Sequence, residues 1–318
     1  MFITRPKGSA IRGANKFAPF LLGLGLLATP IHAQSEAGLS TSANSGQFLQ
    51  DMGASQRIDF SGKLRMLSQR VVAAGCNYAA GIDPANSGPA LEAAKTEFHV
   101  IVDALEFGDA DLGIVGHEER RKTLVGLSKL RELWEPAAAS ADLIATGAGT
   151  PENVAAFADQ SAPLLDMAKL MVSEISAQYS DPTALLQADA LIIDIAGRQR
   201  MLAQRMSKNV CLIASGLNVE VATAELTGAA QLFDASLFAL RNGMAEAGIK
   251  PPPNDEIAAG LDVVIADWTE LQRIVDMVLA GQPLDAEQRS IMFNGSNIMT
   301  GHMNTVVGMY SEASKLDL

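Results

Sequence analysis

Cysteine is nearly absent from this chain, with two residues in 318, Cys76 and Cys211. That is too few for a disulfide-framed miniprotein, and their distance in sequence excludes a Cys-x-x-Cys-His haem site. Aromatic residues are also scarce at 5%, although hydrophobic residues make up 48%. The core must therefore be built from Ala, Leu, Ile and Met, a balance that suits helices better than sheets. Positive charge is outnumbered, 24 Lys and Arg against 36 Asp and Glu, for a formal charge of −12. Nucleic acid is thereby excluded as a partner. His99, His117 and His302 are scattered, without metal-ligand spacing. Met299, His302 and Met303 share a turn but read as core packing before a soft-metal site. With no Gly-rich phosphate loop or nucleophile elbow either, the chain reads as neither an enzyme nor a cofactor carrier.

Residues 1–33 stand apart. Arg5, Lys7, Arg12 and Lys16 precede the apolar run Phe17 to Ala28, and Ile31-His32-Ala33 resembles a cleavage site. This is the pattern of a secretory signal peptide, the apolar run being short for a bilayer span. No later stretch reaches roughly 18 apolar residues, so a soluble protein exported to the periplasm is expected. Its loss of four basic residues leaves the mature chain still more acidic. Residues 34–45, rich in Ser, Ala, Gly and Asn, are expected to form a flexible arm.

From Gln47 to Gly81 there is no proline, and Leu64, Leu67, Val71 and Tyr78 recur at helical spacing. Further helices are predicted from about Pro89 to Phe107, from His117 to Thr146 with Pro136 kinking or dividing it, and from Pro151 to Tyr179 with a break near Pro163. Short Gly and Pro connections make this an up-down-up-down bundle. Ser180-Asp181-Pro182 then opens a new helix, Thr183 to Gly216. Pro251-Pro252-Pro253 and Gly281-Gln282-Pro283 bound the third helix of a second set.

The second set is a copy of the first. Ile195 to Arg205 reads Ile-Ala-Gly-Arg-Gln-Arg-Met-Leu-Ala-Gln-Arg, and Phe60 to Arg70 reads Phe-Ser-Gly-Lys-Leu-Arg-Met-Leu-Ser-Gln-Arg. At the same offset lie Cys76 and Cys211, Gly81 and Gly216, Phe98 and Phe233, and Leu105 and Leu240. Such an internal repeat decides the architecture: an all-α protein of two tandem up-down four-helix bundles arranged as a pseudo-dimer, the first over 46–180 and the second over 181–318.

At 100° per residue Leu64, Leu67 and Val71 face one way, while Gly62, Met66, Gln69, Ala73 and Cys76 face the other, with Arg65 at the edge. The aliphatic face enters the bundle. The other face suits a seam against its repeat, where Gly197, Arg200, Met201, Gln204, Lys208 and Cys211 occupy the same positions. Pairing about a pseudo-twofold axis brings Arg65 toward Arg200. Two guanidiniums in a partly dry seam repel and lose hydration, and an anion between them relieves both effects. The competing reading pairs each arginine with a carboxylate of a neighbouring helix. Cys76 and Cys211 across the same seam are either a disulfide or two buried thiols.

Gly-Lys-Leu-Arg-Met-Leu-Ser-Gln-Arg and Ala-Gly-Arg-Gln-Arg-Met-Leu-Ala-Gln-Arg resemble the first-helix signature of the NarX-like sensor domain. That domain occurs in nitrate/nitrite sensor kinases and at the N-terminus of type IV pilus methyl-accepting chemotaxis transducers of PilJ type. The resemblance implies a periplasmic four-helix bundle that dimerises, and it assigns Arg65 and Arg200 to a ligand held between two first helices. Where nitrate sensors carry a lysine, five residues before the arginine, this chain has Phe60 and Ile195. The second copy is closer to the transducer version.

The resulting expectation is a sensor that binds a small anion such as nitrate or nitrite and reports to a membrane-bound sensor kinase or chemotaxis transducer. Arg65 and Arg200 supply the charge. Gly62 and Gly197 allow close approach, Met66 and Met201 line the seam, and Gln69 and Gln204 add polar contacts. The alternative is an interaction or scaffold protein that docks a membrane receptor or pilus component without a ligand.

Overall fold

The computed structural model describes residues 41–179 and 187–316, with side chains from 53 to 179 and from 188 to 314. The stretches read as a signal peptide and as a turn at 180–182 lie outside them. The first bundle consists of α1 (Thr41–Ala79), α2 (Pro84–Phe107), α3 (Arg121–Ala145), α4 (Pro151–Asp159) and α5 (Ser161–Tyr179). The second consists of α6 (Gln187–Ala214), α7 (Val219–Asn242), α8 (Asp255–Leu279) and α9 (Ala286–Leu316). Among the described residues there is no β-strand, only two isolated bridges, Asp109 with Ile114 and Met244 with Ile249, at equivalent points of the two copies.

Local chemistry accounts for the helix ends. Gly81 and Gly216 close α1 and α6 at φ 68° and 71°, a left-handed conformation that glycine alone adopts freely. The next amides complete the cap: Ile82 N–H donates to Asn77 and Leu217 N–H to Leu212. Asp83 and Asn218 then also take positive φ, 42° and 46°, which their short polar side chains tolerate. Asn254 caps α8 by accepting the Ile257 N–H at 2.9 Å.

Helix boundaries differ from expectation at several points, and the break expected near Pro163 is found. α1 begins at Thr41, inside the stretch read as a flexible arm. α2 starts at Pro84 and absorbs Pro89, and α3 continues through Pro136. The fourth element of the first copy breaks at Gln160, so that Pro163 falls in the first turn of α5, where no intrahelical donor is lost. Its counterpart in the second copy is Ile298, and α9 is continuous.

Leu64, Leu67 and Val71 are fully buried on the inward face of α1. Phe98 stacks on Trp134 at 3.9 Å between centroids, and Phe233 meets Trp268 at 5.0 Å. Burial of each such side chain contributes roughly 1.5–3 kcal/mol. The tryptophan N–H groups find acceptors at equivalent positions, His99 Nε2 at 2.9 Å and Asp234 Oδ1 at 3.3 Å.

Residues Asn44–Leu318 form one compact unit, so the bundles are packed together. Cys76 and Cys211, with Cα atoms 6.2 Å apart, are joined by a disulfide between α1 and α6. Further out, Asn294 donates to Asp83 at 2.7 Å and Asn218 donates to Asp159 at 2.8 Å. These two bonds exchange under the repeat offset of 135 residues set by the cysteines. A pseudo-twofold axis therefore runs between the copies.

Candidate functional site

α1 and α6 lie side by side and parallel, Cys76 meeting Cys211 at the C-terminal end and the glycines meeting the opposite arginines toward the N-terminal end. Helical side chains lean back toward their own N-terminus, and each motif arginine reaches across that way. Arg65 Nη1 donates to Asp194 Oδ1 at 3.0 Å. Arg200 Nη2 donates to Asp59 Oδ1 at 3.2 Å. Asp59 and Asp194 are equivalent residues, so the seam holds a reciprocal pair of ion pairs.

The two guanidiniums close over the two motif glycines. A Cβ on Gly62 would lie 3.6 Å from Arg65 Nη2 and 3.7 Å from Arg200 Nη2, and one on Gly197 would lie 3.5 Å from Arg200 Nη2 and 3.7 Å from Arg65 Nη2. Both cations thus converge on one spot floored by backbone. Both arginine side chains are almost fully buried, whereas Asp194 and Asp59 are 32% and 42% exposed.

The two arginines are not equally satisfied. Arg200 also donates from Nη1 to Asn304 at 2.6 Å and from Nε to the Gly197 carbonyl at 3.4 Å. Among the described residues Arg65 has Asp194 alone, and its Nε is buried without a partner. Burial pushes the Arg65 pKa down; Asp194 opposes that shift, while Arg198 and Arg200 add to it.

The other expected site residues divide. Met66 and Met201 are buried. The amides of Gln69 and Gln204 are committed to their own bundles: Gln69 Nε2 donates to Ser68 Oγ and the Ser161 carbonyl, Gln204 Nε2 to Thr300 Oγ1, Asn297 and the Ser296 carbonyl. Ser161 and Ser296 are repeat equivalents, so these glutamines tie each first helix to its fourth. Their Oε1 atoms are buried and unpartnered.

Sequence reasoning missed Asp59 and Asp194, although both copies carry the residue one place before the stretch compared. Six helical residues span about 9 Å, so each carboxylate is poorly placed for its own arginine and well placed for the opposite one. Lys208 stands where the first copy has Ala73. Its ammonium is buried and bridges the copies, donating to Glu225 Oε2 at 2.8 Å and to Ser161 Oγ at 2.9 Å. Burial alone would raise the Glu225 carboxyl, but Lys208 and then Arg205 outweigh it and bring the pKa down to about 2.

Among the described residues no group of three His, Cys, Asp or Glu could hold a metal ion. No helix among them is long and apolar enough to cross a membrane.

No curated protein matches this chain. The family model described as type IV pili methyl-accepting chemotaxis transducer N-term, PilJ, matches it twice, over residues 49–160 and 183–291. Each segment spans most of one bundle, each includes one copy of the Gly-x-x-Arg-Met-Leu-x-Gln-Arg helix, and together they cover more than half of the chain. The protein belongs to the PilJ family of chemotaxis-transducer N-terminal sensory domains, in two tandem copies.

Proposed function

We propose that this chain is a periplasmic sensory protein that takes a small anion, such as nitrate or nitrite, between Arg65 and Arg200, and reports to a membrane-bound chemotaxis transducer or sensor kinase. The observation that carries this reading is the convergence of two buried guanidiniums over Gly62 and Gly197, with Arg65 Nε unpartnered. Asp194 and Asp59 are half in solvent and act as placeholders. An entering anion displaces Asp194 from Arg65 first, because Arg65 has no second partner among the described residues, and receives charge-assisted hydrogen bonds from both arginines. Met66 and Met201 keep the site dry, and Gln69 and Gln204 fix the first helices. Releasing the carboxylates changes how α1 and α6 hold each other, which is the movement a membrane partner reads.

Calorimetry of the mature protein against nitrate, nitrite, sulfate and phosphate tests this. A heat signal that disappears in Arg65→Ala and Arg200→Ala, both retaining helical circular dichroism, is expected. One observation favours a second reading: each of the two seam arginines already has a carboxylate partner. If none of the four anions gives a signal in the folded parent, the reciprocal pairs are a structural lock and the chain is an interaction protein that docks a receptor or pilus component.

A further inference from the structure

The pseudo-twofold symmetry fails at the disulfide. Position 154 in the first copy is Val154, buried, and Gly75 beside Cys76 is covered by Phe157 and Ile144. The equivalent of Val154 in the second copy is Arg289. Its Nη2 lies 3.8 Å from Cys211 Sγ and donates to Ser215 Oγ at 2.9 Å. Among the described residues no carboxylate pairs with Arg289, its Nε is buried without a partner, and burial alone pushes its pKa down. The other charged groups nearby are engaged elsewhere. Lys208, one turn before Cys211, is held by Glu225 and Ser161, and Asp83 in the α1–α2 turn is held by Asn86 and Asn294.

An uncompensated cation beside one sulfur of a disulfide does little for the neutral bond and much for a thiolate. We propose that Cys76–Cys211 is an exchangeable disulfide that opens to an external dithiol, and that Arg289 poises it by stabilising Cys211 as the thiolate. A thiolate of the dithiol attacks Cys76 Sγ, the S–S bond breaks, and its electron pair leaves on Cys211 Sγ beside Arg289. The second thiol of the reagent then attacks the mixed disulfide, releasing Cys76 and closing the oxidised reagent. Two electrons pass from the dithiol to the protein; Cys76 recovers a proton, and one proton goes to solvent for Cys211. The covalent tie between the bundles is thereby set by the dithiol poise of the compartment. Because both cysteines are buried, exchange proceeds through local opening at this end of α1 and α6, and Arg289 acts on the equilibrium.

The test equilibrates the full mature chain, as parent, Arg289→Lys and Arg289→Met, with graded ratios of reduced to oxidised dithiothreitol at pH 7.5. Thiols are trapped and counted by mass. Arg289→Met is expected to shift the equilibrium about tenfold toward the disulfide, about 30 mV more negative, while Arg289→Lys stays within about threefold of the parent. An Arg289→Met equilibrium equal to the parent, or displaced toward the dithiol, overturns the proposal. Iodoacetamide alkylation against pH provides a second readout. The Cys211 thiol of Cys76→Ser is expected to react with a lower midpoint than the Cys76 thiol of Cys211→Ser, and an equal or higher midpoint for Cys211 overturns the proposal independently of the equilibrium.

Discussion

Asp194→Asn and Asp59→Asn are isosteric changes at equivalent positions of parallel helices, and the structure predicts that they differ. Asp194→Asn removes the only anionic partner that Arg65 has among the described residues; the Arg65 side chain is 9% exposed and its Nε is already unpartnered. A fully buried charge stripped of its partner costs about 3–5 kcal/mol. Asp194 is itself 32% exposed, so water replaces part of what is lost, and the expected destabilisation falls to about 2 kcal/mol. Asp59→Asn leaves Arg200 with Asn304 and the Gly197 carbonyl, and the expected loss is under about 1 kcal/mol. Urea unfolding of the disulfide-intact chain at pH 7, followed by circular dichroism, measures both. A loss in Asp59→Asn equal to or greater than that in Asp194→Asn refutes the reasoning, as do two variants indistinguishable from the parent. The same pair probes the ligand. With no carboxylate to displace from Arg65, Asp194→Asn should regain more stability from added nitrate than the parent gains.

Acid sensitivity should reside partly in Glu225. Its folded pKa of about 2 lies below the ordinary 4.5, so its stabilisation is fully present above about pH 4.5 and is lost as pH falls toward 2, at most about 3 kcal/mol. Glu225→Gln should flatten stability against pH across that window in acid titrations. Glycine substitutions should separate tight from open positions. A Cβ on Gly149 would lie 2.7 Å from Ala79 Cβ and 3.2 Å from its Cα, neither of which can rotate away, so Gly149→Ala should destabilise by about 1–3 kcal/mol. Gly228 in α7 has nothing within 4 Å of that point, and Gly228→Ala should stabilise by about 0.5–1 kcal/mol in thermal melts.

The fold was legible because two kinds of signal agreed: apolar periodicity over long proline-free stretches, and a repeat that copied Gly81, Phe98 and Cys76 into Gly216, Phe233 and Cys211. Helix starts were less so. Pro89 was read as a helix start and Pro136 as a kink or division, yet Pro89 lies early in α2 and α3 runs through Pro136, because packing on both sides outweighs one missing hydrogen bond. In the seam, the arginines and glycines were legible from helical facing. Asp59 and Asp194 were not, since a contact between residues equivalent to i and i−6 on two helices appears only once the parallel, side-by-side register is fixed.

That register also explains a difference between the copies that looked like drift. Position 83 is Asp in the first copy and Asn218 in the second, and position 159 is Asp in the first and Asn294 in the second. Across the axis each contact therefore joins one Asp to one Asn. Two first copies facing each other would set Asp83 against Asp159, a like-charged pair at both edges of the seam, whereas a first copy facing a second gains a hydrogen bond at each. The tandem arrangement is favoured over self-pairing of the first copy by this complementarity. Asn218→Asp recreates the acidic clash with Asp159 within the chain. It should destabilise by about 0.5–1 kcal/mol at low ionic strength, and Asp159→Asn in the same chain should restore the loss by making position 159 a donor to the new carboxylate. If the double variant is no more stable than Asn218→Asp alone, the Asp–Asn alternation plays no part in choosing which copy pairs with which.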